Sequence, residues 1–410
     1  MGLLETRNLG NGSIYTIGNP YGDGIIYTNL PYTSANLDSN VYYFSPLIIA
    51  NIPVFSNLSG PISGAGSQLA TGDFEFNGIA IEDSSGNMYL GHREGGTLAG
   101  AIIKFDINTN STGLFVGNLK TNGSTNGITT GARFFALGDM AIDSNDNLFA
   151  VDQAGRCIRK ITPEGVVTTF AGTASNPTNL YVDGSAANAT FPSSSLARIS
   201  IDSDDNIYLV SPAQQSRTLR KITPAGIVST LAGAAGQTGF QDGVGASARF
   251  GIPVALAIDS NKNIYVFDRD NYNLRKVTPD GTVTTFAGIS GVGQNCENSE
   301  LNPLLCDGIG TGAKFASVTS AVIDQFNNLY FSQNTNIRKV DLNTAEVITI
   351  GGKGGDIDGG VSISGSGFDV RFNNIFSLKL DKIQSGIILI SNLESPSVVK
   401  MKQGGFYSKQ

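Results

Sequence analysis

Residues Leu256–Gly288 read LAIDSNKNIYVFDRDNYNLRKVTPDGTVTTFAG. In this stretch, four short runs rich in β-branched and aromatic residues alternate with turns of Gly, Asn, Asp and Pro. The pattern predicts four antiparallel strands, at Leu256–Ile258, Ile264–Phe267, Leu274–Val277 and Thr282–Phe286. One sheet of this size cannot bury both of its faces, so the stretch also predicts neighbouring sheets of the same kind.

The same pattern recurs along most of the chain. Clear copies occupy Met140–Gly172, Ile199–Gly233 and Ala321–Gly352. More divergent copies begin near Ala35, Ile79 and Leu378. The spacing of the copies is typical of the blades of a β-propeller. We therefore predict an all-β protein, a β-propeller of four-stranded antiparallel blades, with seven blades.

Three recurring elements carry a family resemblance: IAIDSxxNIYV, IRKITPxGxVTTFAG, and an Asp-Gly pair followed by Ala-Arg-Phe. The third element is Asp242-Gly243 with Ala248-Arg249-Phe250, and it recurs as Asp307-Gly308 with Ala313-Lys314-Phe315. In these elements the chain resembles the NHL-repeat β-propellers of the long-loop bacterial type. The resemblance covers nearly the whole chain and implies the fold, whereas propellers host many unrelated activities.

The two ends of the chain bear on the blade count. Residues 3–18, LLETRNLGNGSIYTIG, have the pattern of two late strands of a blade joined at a Gly-Asn-Gly turn. We expect residues 1–410 to form a single propeller domain in which strands within 3–18 complete the C-terminal blade and close the ring. Closure removes exposed sheet edges. The alternative is six blades with an N-terminal appendage.

Composition and charge limit the classes of partner. The chain has 27 Lys and Arg against 34 Asp and Glu, a net charge of −7, which disfavours nucleic-acid binding through phosphate neutralisation. No apolar run is long enough to span a membrane. The Arg-Lys pairs that recur in the copies are expected at one equivalent place in each blade, paired with Asp residues of the adjacent blade. These pairs begin at Arg159, Arg220, Arg275 and Arg338.

Two sets of recurring acidic residues have a structural interpretation. Carboxylates that follow the first strand of each unit are expected to accept backbone N–H groups of the turn. These residues are Asp143, Asp202, Asp259, Asp324 and Asp381. The Asp-Gly pairs lie in the long connections between blades, where clustered oxygen ligands would suit calcium. The loops contain few carboxylates and no Asp-x-Asp-x-Asp-Gly run, so calcium is the alternative and no cofactor is predicted.

The long connections are predicted to gather on one face and to form the binding surface, since loops on a rigid scaffold usually carry binding. The most individual loop is 289–316, whose two cysteines are close enough in sequence for a local disulfide bond. Such a bond would place the protein in an oxidising compartment. The predicted binding residues are Tyr181, Asp183, Asp242, Cys296, Glu297, Glu300, Cys306 and Asp307, with Cys296 and Cys306 as the disulfide pair.

Catalysis is disfavoured by the scarcity of suitable groups. The chain has one histidine, His92, expected in a turn at 91–96. A single histidine excludes a metal site built from several histidines, and it leaves no second candidate for the base of a Ser-His-Asp triad. The peptide-amidation lyases among the propellers need several histidines. Lactonase-type propellers hold a divalent metal in the central channel, and their ligands follow no short motif, so the absence of a motif does not exclude such a site. However, no blade shows an evident departure from the repeat that would indicate such chemistry.

Three functions therefore remain. The first is a non-catalytic scaffold that binds a protein or a glycan through its loop face. The second is a structural subunit of a surface or viral assembly, suggested by the low proportion of charged residues. The third is a metal-dependent lactonase or hydrolase with a site in the channel. We expect an extracellular, cell-surface or virion-surface location, although the N-terminal residues do not have the pattern of a signal peptide. The oligomeric state is not predicted.

Overall fold

A computed structural model describes residues 5–8, 14–17, 42–46, 74–80, 83–94, 100–106, 111–173, 181–191, 197–289, 306–333, 335–352, 365–366, 375–380, 388–392 and 397–403. In these ranges the elements are β-strands and three single-turn 3-10 helices, at Thr129–Gly131, Gly245–Ser247 and Gly310–Gly312. No helix in the same ranges is long and apolar enough to cross a membrane.

The strands form an N-terminal hairpin and six blades, numbered in chain order. The hairpin consists of β1 (Glu5–Asn8) and β2 (Ile14–Ile17), and β3 (Tyr42–Pro46) joins the last blade. Blade 1 contains β4 (Phe74–Ala80), β5 (Met88–Glu94), β6 (Gly100–Asp106) and β7 (Ser111–Gly117). Blade 2 contains β8 (Gly127–Ile128), β9 (Leu137–Ile142), β10 (Leu148–Asp152), β11 (Cys157–Ile161) and β12 (Val166–Gly172). Blade 3 contains β13 (Arg198–Ile201), β14 (Ile207–Val210), β15 (Thr218–Ile222) and β16 (Val228–Gly233).

The remaining blades follow the same plan. Blade 4 contains β17 (Gly243–Val244), β18 (Pro253–Ile258), β19 (Ile264–Asp268), β20 (Asn273–Val277) and β21 (Thr282–Ala287). Blade 5 contains β22 (Gly308–Ile309), β23 (Val318–Ile323), β24 (Asn328–Gln333), β25 (Asn336–Asp341) and β26 (Glu346–Gly351). Blade 6 contains β27 (Gly365–Ser366), β28 (Ile375–Leu380), β29 (Ile388–Asn392), β30 (Ser397–Gln403) and β3. The two-residue strands β8, β17 and β22 each pair with the outermost long strand of their blade.

The first long strands of the six blades contact one another in a closed ring, in the order β4, β9, β13, β18, β23, β28 and back to β4. The described strands therefore form a six-bladed propeller. This is the alternative blade count, and the count of seven is not what these strands show. The copy near Ala35 supplies one strand, β3, which pairs antiparallel with β30 and completes blade 6. The strand that closes the ring thus comes from Tyr42–Pro46, whereas β1 and β2 pair with each other.

The turns after the first strands confirm the predicted role of their aspartates. Oδ1 of Asp143 accepts hydrogen bonds from the backbone N–H groups of Asn145 and Asn147, at 2.9 and 2.8 Å. Asp202, Asp259 and Asp324 accept the equivalent bonds, while Asp381 lies outside the described residues. Because each carboxylate satisfies two turn N–H groups, the tight turn can follow a buried strand.

Tyrosines beneath these turns make the structure sensitive to alkaline pH. The hydroxyl of Tyr208 donates a hydrogen bond of 3.1 Å to Asp202, and burial followed by the charge of Asp202 raises the pKa of this phenol above its usual range. The unfolded chain therefore ionises first, and stability is lost as the pH rises above 10, the ordinary tyrosine value. Tyr208→Phe should lower the free energy of unfolding by about 1 kcal/mol at pH 7. The stabilisation by the wild-type tyrosine falls as the pH rises through 10, so denaturant titrations at pH 7 and pH 11 should show a smaller difference between wild type and variant at pH 11.

The apolar core lies between the blades. Phe267 of blade 4 packs against Phe331 and Phe315 of blade 5, with ring centroids 4.7 and 5.7 Å away, and all three rings are buried. Phe286 is only partly buried at the edge of this cluster, where its ring meets Tyr265 edge-on at 5.3 Å. In this interface the second long strands, β19 and β24, therefore contribute more buried aromatic surface than the fourth long strand, β21.

This difference in burial predicts different effects of two matched substitutions. Phe267→Ala should lower the free energy of unfolding by about 3–5 kcal/mol, as truncation of a buried phenylalanine does. Phe286→Ala should have a smaller effect, because its side chain is only partly buried at the edge of the cluster. Equilibrium denaturation in urea checks both values, and equal losses would show that the two rings are buried alike.

Candidate functional site

The third long strand of each of blades 2 to 5 (β11, β15, β20 and β25) carries a fully buried arginine, and the connection that enters the blade surrounds it. In blade 3, Arg220 is 1% exposed. It donates through Nη2 to the Asp183 carboxylate at 2.9 Å and to the Val182 carbonyl at 2.7 Å, and through Nη1 to the Thr190 carbonyl at 2.8 Å. A register shift between Leu219 and Arg220 marks a bulge, and bulges re-aim side chains. We call this arrangement the arginine clasp.

The clasp is repeated with small changes. Arg275 binds Asp242 at 2.6 Å, and Arg338 binds Asp307 at 3.1 Å. In blade 2 the loop residue is Asn126, which accepts from Arg159 at 3.0 Å, and the buried Asp152 supplies the negative charge at 3.3 Å. Each Asp-Gly segment pairs with the outer strand of the blade that follows it, and its aspartate binds the arginine of that same blade. The expectation that these arginines pair with aspartates of an adjacent blade was therefore wrong.

Each clasp is covered by the aromatic residue of the Ala-Arg-Phe element or its counterpart. The guanidinium carbons of Arg159, Arg220, Arg275 and Arg338 lie 4.8–5.6 Å from the ring centroids of Phe134, Phe191, Phe250 and Phe315, respectively. A cation over an aromatic face is attracted to it, most strongly when water is excluded. The recurring Asp-Gly and Ala-Arg-Phe elements therefore fix each connection to its blade.

The same carboxylates also accept hydrogen bonds from backbone N–H groups. Besides its arginine, Asp183 accepts the backbone N–H of Thr230 at 2.7 Å, Asp242 that of Thr285 at 3.0 Å, and Asp307 that of Thr349 at 2.9 Å. Calcium is coordinated by several oxygens, and these carboxylates face nitrogen donors instead. In the described part of the chain, no three His, Cys, Asp or Glu side chains come together as a possible metal site.

The other predicted binding residues are distributed as follows. Tyr181 lies beside the clasp of blade 3, with its ring 5.7 Å from the guanidinium of Arg220, and burial raises the pKa of its phenol. Cys306 is buried and disulfide-bonded, and its carbonyl accepts a hydrogen bond of 2.7 Å from Arg338. Cys296, Glu297 and Glu300 lie outside the described residues. His92 lies within strand β5, opposite Phe76 and Ala101, rather than in a turn.

The central channel contains a charged cluster that the sequence analysis missed. Four residues before the turn aspartate, the first strands of blades 2 to 6 carry Asp139, Arg198, Ala255, Ser320 and Ser377. Asp139 is 4% and Arg198 6% exposed. Lys379, two residues after Ser377, stands where the other blades have Ala141, Ser200, Ala257 and Val322. When the repeats are aligned, charged residues replace small or apolar ones at these positions. This difference between repeats is the sequence signal that could have revealed the cluster.

Two of these side chains cross the channel. Nζ of Lys379 in blade 6 donates to Oδ1 of Asp139 and to the Met140 carbonyl in blade 2, both at 2.9 Å. Nε of Arg198 in blade 3 donates to the Thr319 carbonyl in blade 5, at 2.9 Å. Each of these contacts joins two blades that are separated by a third blade in the ring. Burial lowers the pKa of Arg198, and the charge of Asp139 opposes that shift.

Comparisons with known proteins found similar solved structures, but no family model and no curated protein matches the sequence. A streptogramin B lyase structure has 10% identity and a TM-score of 0.49, covering 88% of this chain and 98% of that one. A gluconolactonase from Xanthomonas campestris has 11% identity and a TM-score of 0.48, covering 81% and 86%. Virginiamycin B lyase from Staphylococcus aureus has 11% identity and a TM-score of 0.46, covering 80% and 94%. Likeness at this level carries no argument about activity.

Proposed function

We propose that this chain is a non-catalytic propeller of the NHL-repeat type that binds a protein partner through its outer edge. One observation carries the proposal. In four consecutive blades, the outer edge exposes one aliphatic side chain, from the two-residue outer strand in blades 2, 4 and 5 and from the turn before β16 in blade 3. Ile128, Ile227, Val244 and Ile309 are 63%, 47%, 57% and 66% exposed, respectively. We call these four residues the rim.

The rim favours a protein over a glycan. Aliphatic side chains offer no hydrogen bonds to sugar hydroxyls, whereas the centres of protein interfaces are apolar and poor in charge. The 3-10 helices that follow Ile128, Val244 and Ile309 consist of Gly, Ala, Ser and Thr, so small side chains flank these three rim residues. Arg133 and Arg249 donate to carbonyls of two of these helices, so charged groups border the rim. The rim also borders the connections between blades, where binding was expected.

The two alternatives are weaker. A channel lactonase would need a divalent cation beside Arg198 and Lys379, whose positive charges repel it. A structural subunit would pack copies of the chain through the same rim, and light scattering distinguishes that outcome from a separate partner. The disulfide bond of Cys306 supports a location in an oxidising compartment, which remains part of the proposal.

The test replaces three rim residues together, as Ile128→Asp, Val244→Asp and Ile309→Asp. Phe326→Asp is the matched control, because Phe326 is 55% exposed but lies in the turn between β23 and β24. Crosslinking in the native source identifies the bound protein, and its affinity is then measured with purified components. We expect binding at least ten-fold weaker for the triple variant and unchanged for the control. Equal affinity for wild type and triple variant would overturn the proposal, and a wild-type oligomer that the variant abolishes would favour the structural subunit.

A further inference from the structure

The central channel contains a partly open cavity of about 180 Å³. It is lined by the first strands of blades 3 to 6 and by Asp139 of blade 2. At roughly 30 Å³ for each water molecule, this volume holds about six waters or a small organic anion. The cavity is therefore large enough for a ligand even though two side chains cross the channel.

The charges around this cavity are unequal. Among the described lining residues, Arg198 and Lys379 are cations and Asp139 is the carboxylate. Both oxygens of Asp139 already accept hydrogen bonds, Oδ1 from Lys379 at 2.9 Å and Oδ2 from the backbone N–H of Ile199 at 3.1 Å. The described lining thus has two positive charges and one negative charge.

Burial makes this excess unfavourable for the protein alone. The pKa of Arg198 is lowered because water is excluded around its guanidinium, and Asp139 opposes the shift without cancelling it. An anion in the cavity would be attracted to the guanidinium of Arg198 and the ammonium of Lys379, and the attraction is stronger where water is partly excluded. Guanidinium and ammonium groups are the side chains that bind carboxylate and phosphate oxygens best.

We propose that the channel binds one small oxyanion, a carboxylate or a phosphate, between Arg198 and Lys379. The other lining residues include Ile201, Ile258, Ile323 and Leu380, so apolar groups border the cavity beside the two cations. This site is separate from the rim and does not depend on the proposed protein partner. It also differs from a metal site, since the groups that face the ligand are cations.

The experiment uses the full chain, purified in chloride buffer without phosphate or carboxylate. Isothermal titration calorimetry and thermal unfolding are carried out with sodium phosphate, acetate and succinate, each against sodium chloride at equal ionic strength. We expect one-to-one binding of at least one oxyanion and a higher melting temperature than in chloride. Binding of phosphate alone, or of the carboxylates alone, identifies the source of the ligand. Absence of binding by all three would overturn the proposal.

Variants then place the ligand. Arg198→Gln and Lys379→Gln should each weaken binding at least ten-fold, while Arg249→Gln, outside the cavity lining, should leave it unchanged. If Arg198→Gln does not fold, Arg198→Lys retains the charge but loses the planar fork, and it should still weaken binding measurably. Undiminished binding in the folded Arg198 and Lys379 variants would show that the anion binds elsewhere, and would overturn the proposal without affecting the rim.

Discussion

Arg275→Met is expected to lower the free energy of unfolding by about 3–5 kcal/mol, because it removes a fully buried cation that faces the equally buried Asp268 at 3.9 Å. The guanidinium is 0% exposed and donates to Asp242 at 2.6 Å and to the Arg249 and Gln241 carbonyls at 3.0 and 3.2 Å. Methionine keeps the apolar stem of the side chain, so the loss reports mainly on the removed hydrogen bonds. Urea denaturation followed by tyrosine fluorescence measures the change.

Arg269→Ala is the matched control for this prediction. Arg269 lies on the surface of the same blade, where its side chain is 41% exposed and pairs with Asp270 at 3.4 Å. Exposed pairs of this kind stabilise proteins little, so a change within about 0.5 kcal/mol is expected. A loss below about 1 kcal/mol for Arg275→Met would show that the clasp does not hold the connection to the blade.

The repeated part of the fold follows from the sequence because its determinants are local. A single unit such as Leu256–Gly288 contains the apolar runs of period two, the turn aspartate and the turn glycine. Its four strands form within a few residues of the predicted positions. The blade count depended on a distant pairing instead. A lone strand such as Tyr42–Pro46 shows no local sign of the strand with which it pairs, and here the partner is β30 near the C-terminus.

The candidate sites show the same division between local and distant determinants. The sequence correctly indicated that Arg220, Arg275 and Arg338 occupy one equivalent place and meet aspartates. It assigned those aspartates to the wrong blade, because the Asp-Gly segment pairs with the outer strand of the blade that follows it. Asp139, Arg198 and Lys379 are distinctive in aligned repeats, but their contacts skip a blade, and no pattern within one unit predicts that.

Asp139→Ala should also lower the free energy of unfolding by about 3–5 kcal/mol, because it removes the carboxylate that Lys379 reaches across the channel. Asp270→Ala, on the surface, is the control and should change stability by less than about 0.5 kcal/mol. The double variant Asp139→Leu with Lys379→Met should recover at least half of the loss, since apolar residues of similar volume often replace a buried pair without penalty. Failure to recover would mean that Asp139 acts mainly through the Ile199 N–H rather than through Lys379.

The stability loss of Asp139→Ala should also depend on the anion in the buffer. Without Asp139, the channel retains the charges of Arg198 and Lys379, so an oxyanion that enters it takes over part of the missing negative charge. The destabilisation of Asp139→Ala should therefore be smaller in phosphate or succinate than in chloride at equal ionic strength, because a ligand that binds only the folded state stabilises it. An equal loss of unfolding free energy in all buffers would mean that the ion pair only stabilises the fold, and it would argue against anion binding in the channel. A selective rescue would connect the stability of the ring with the ligand that its centre holds.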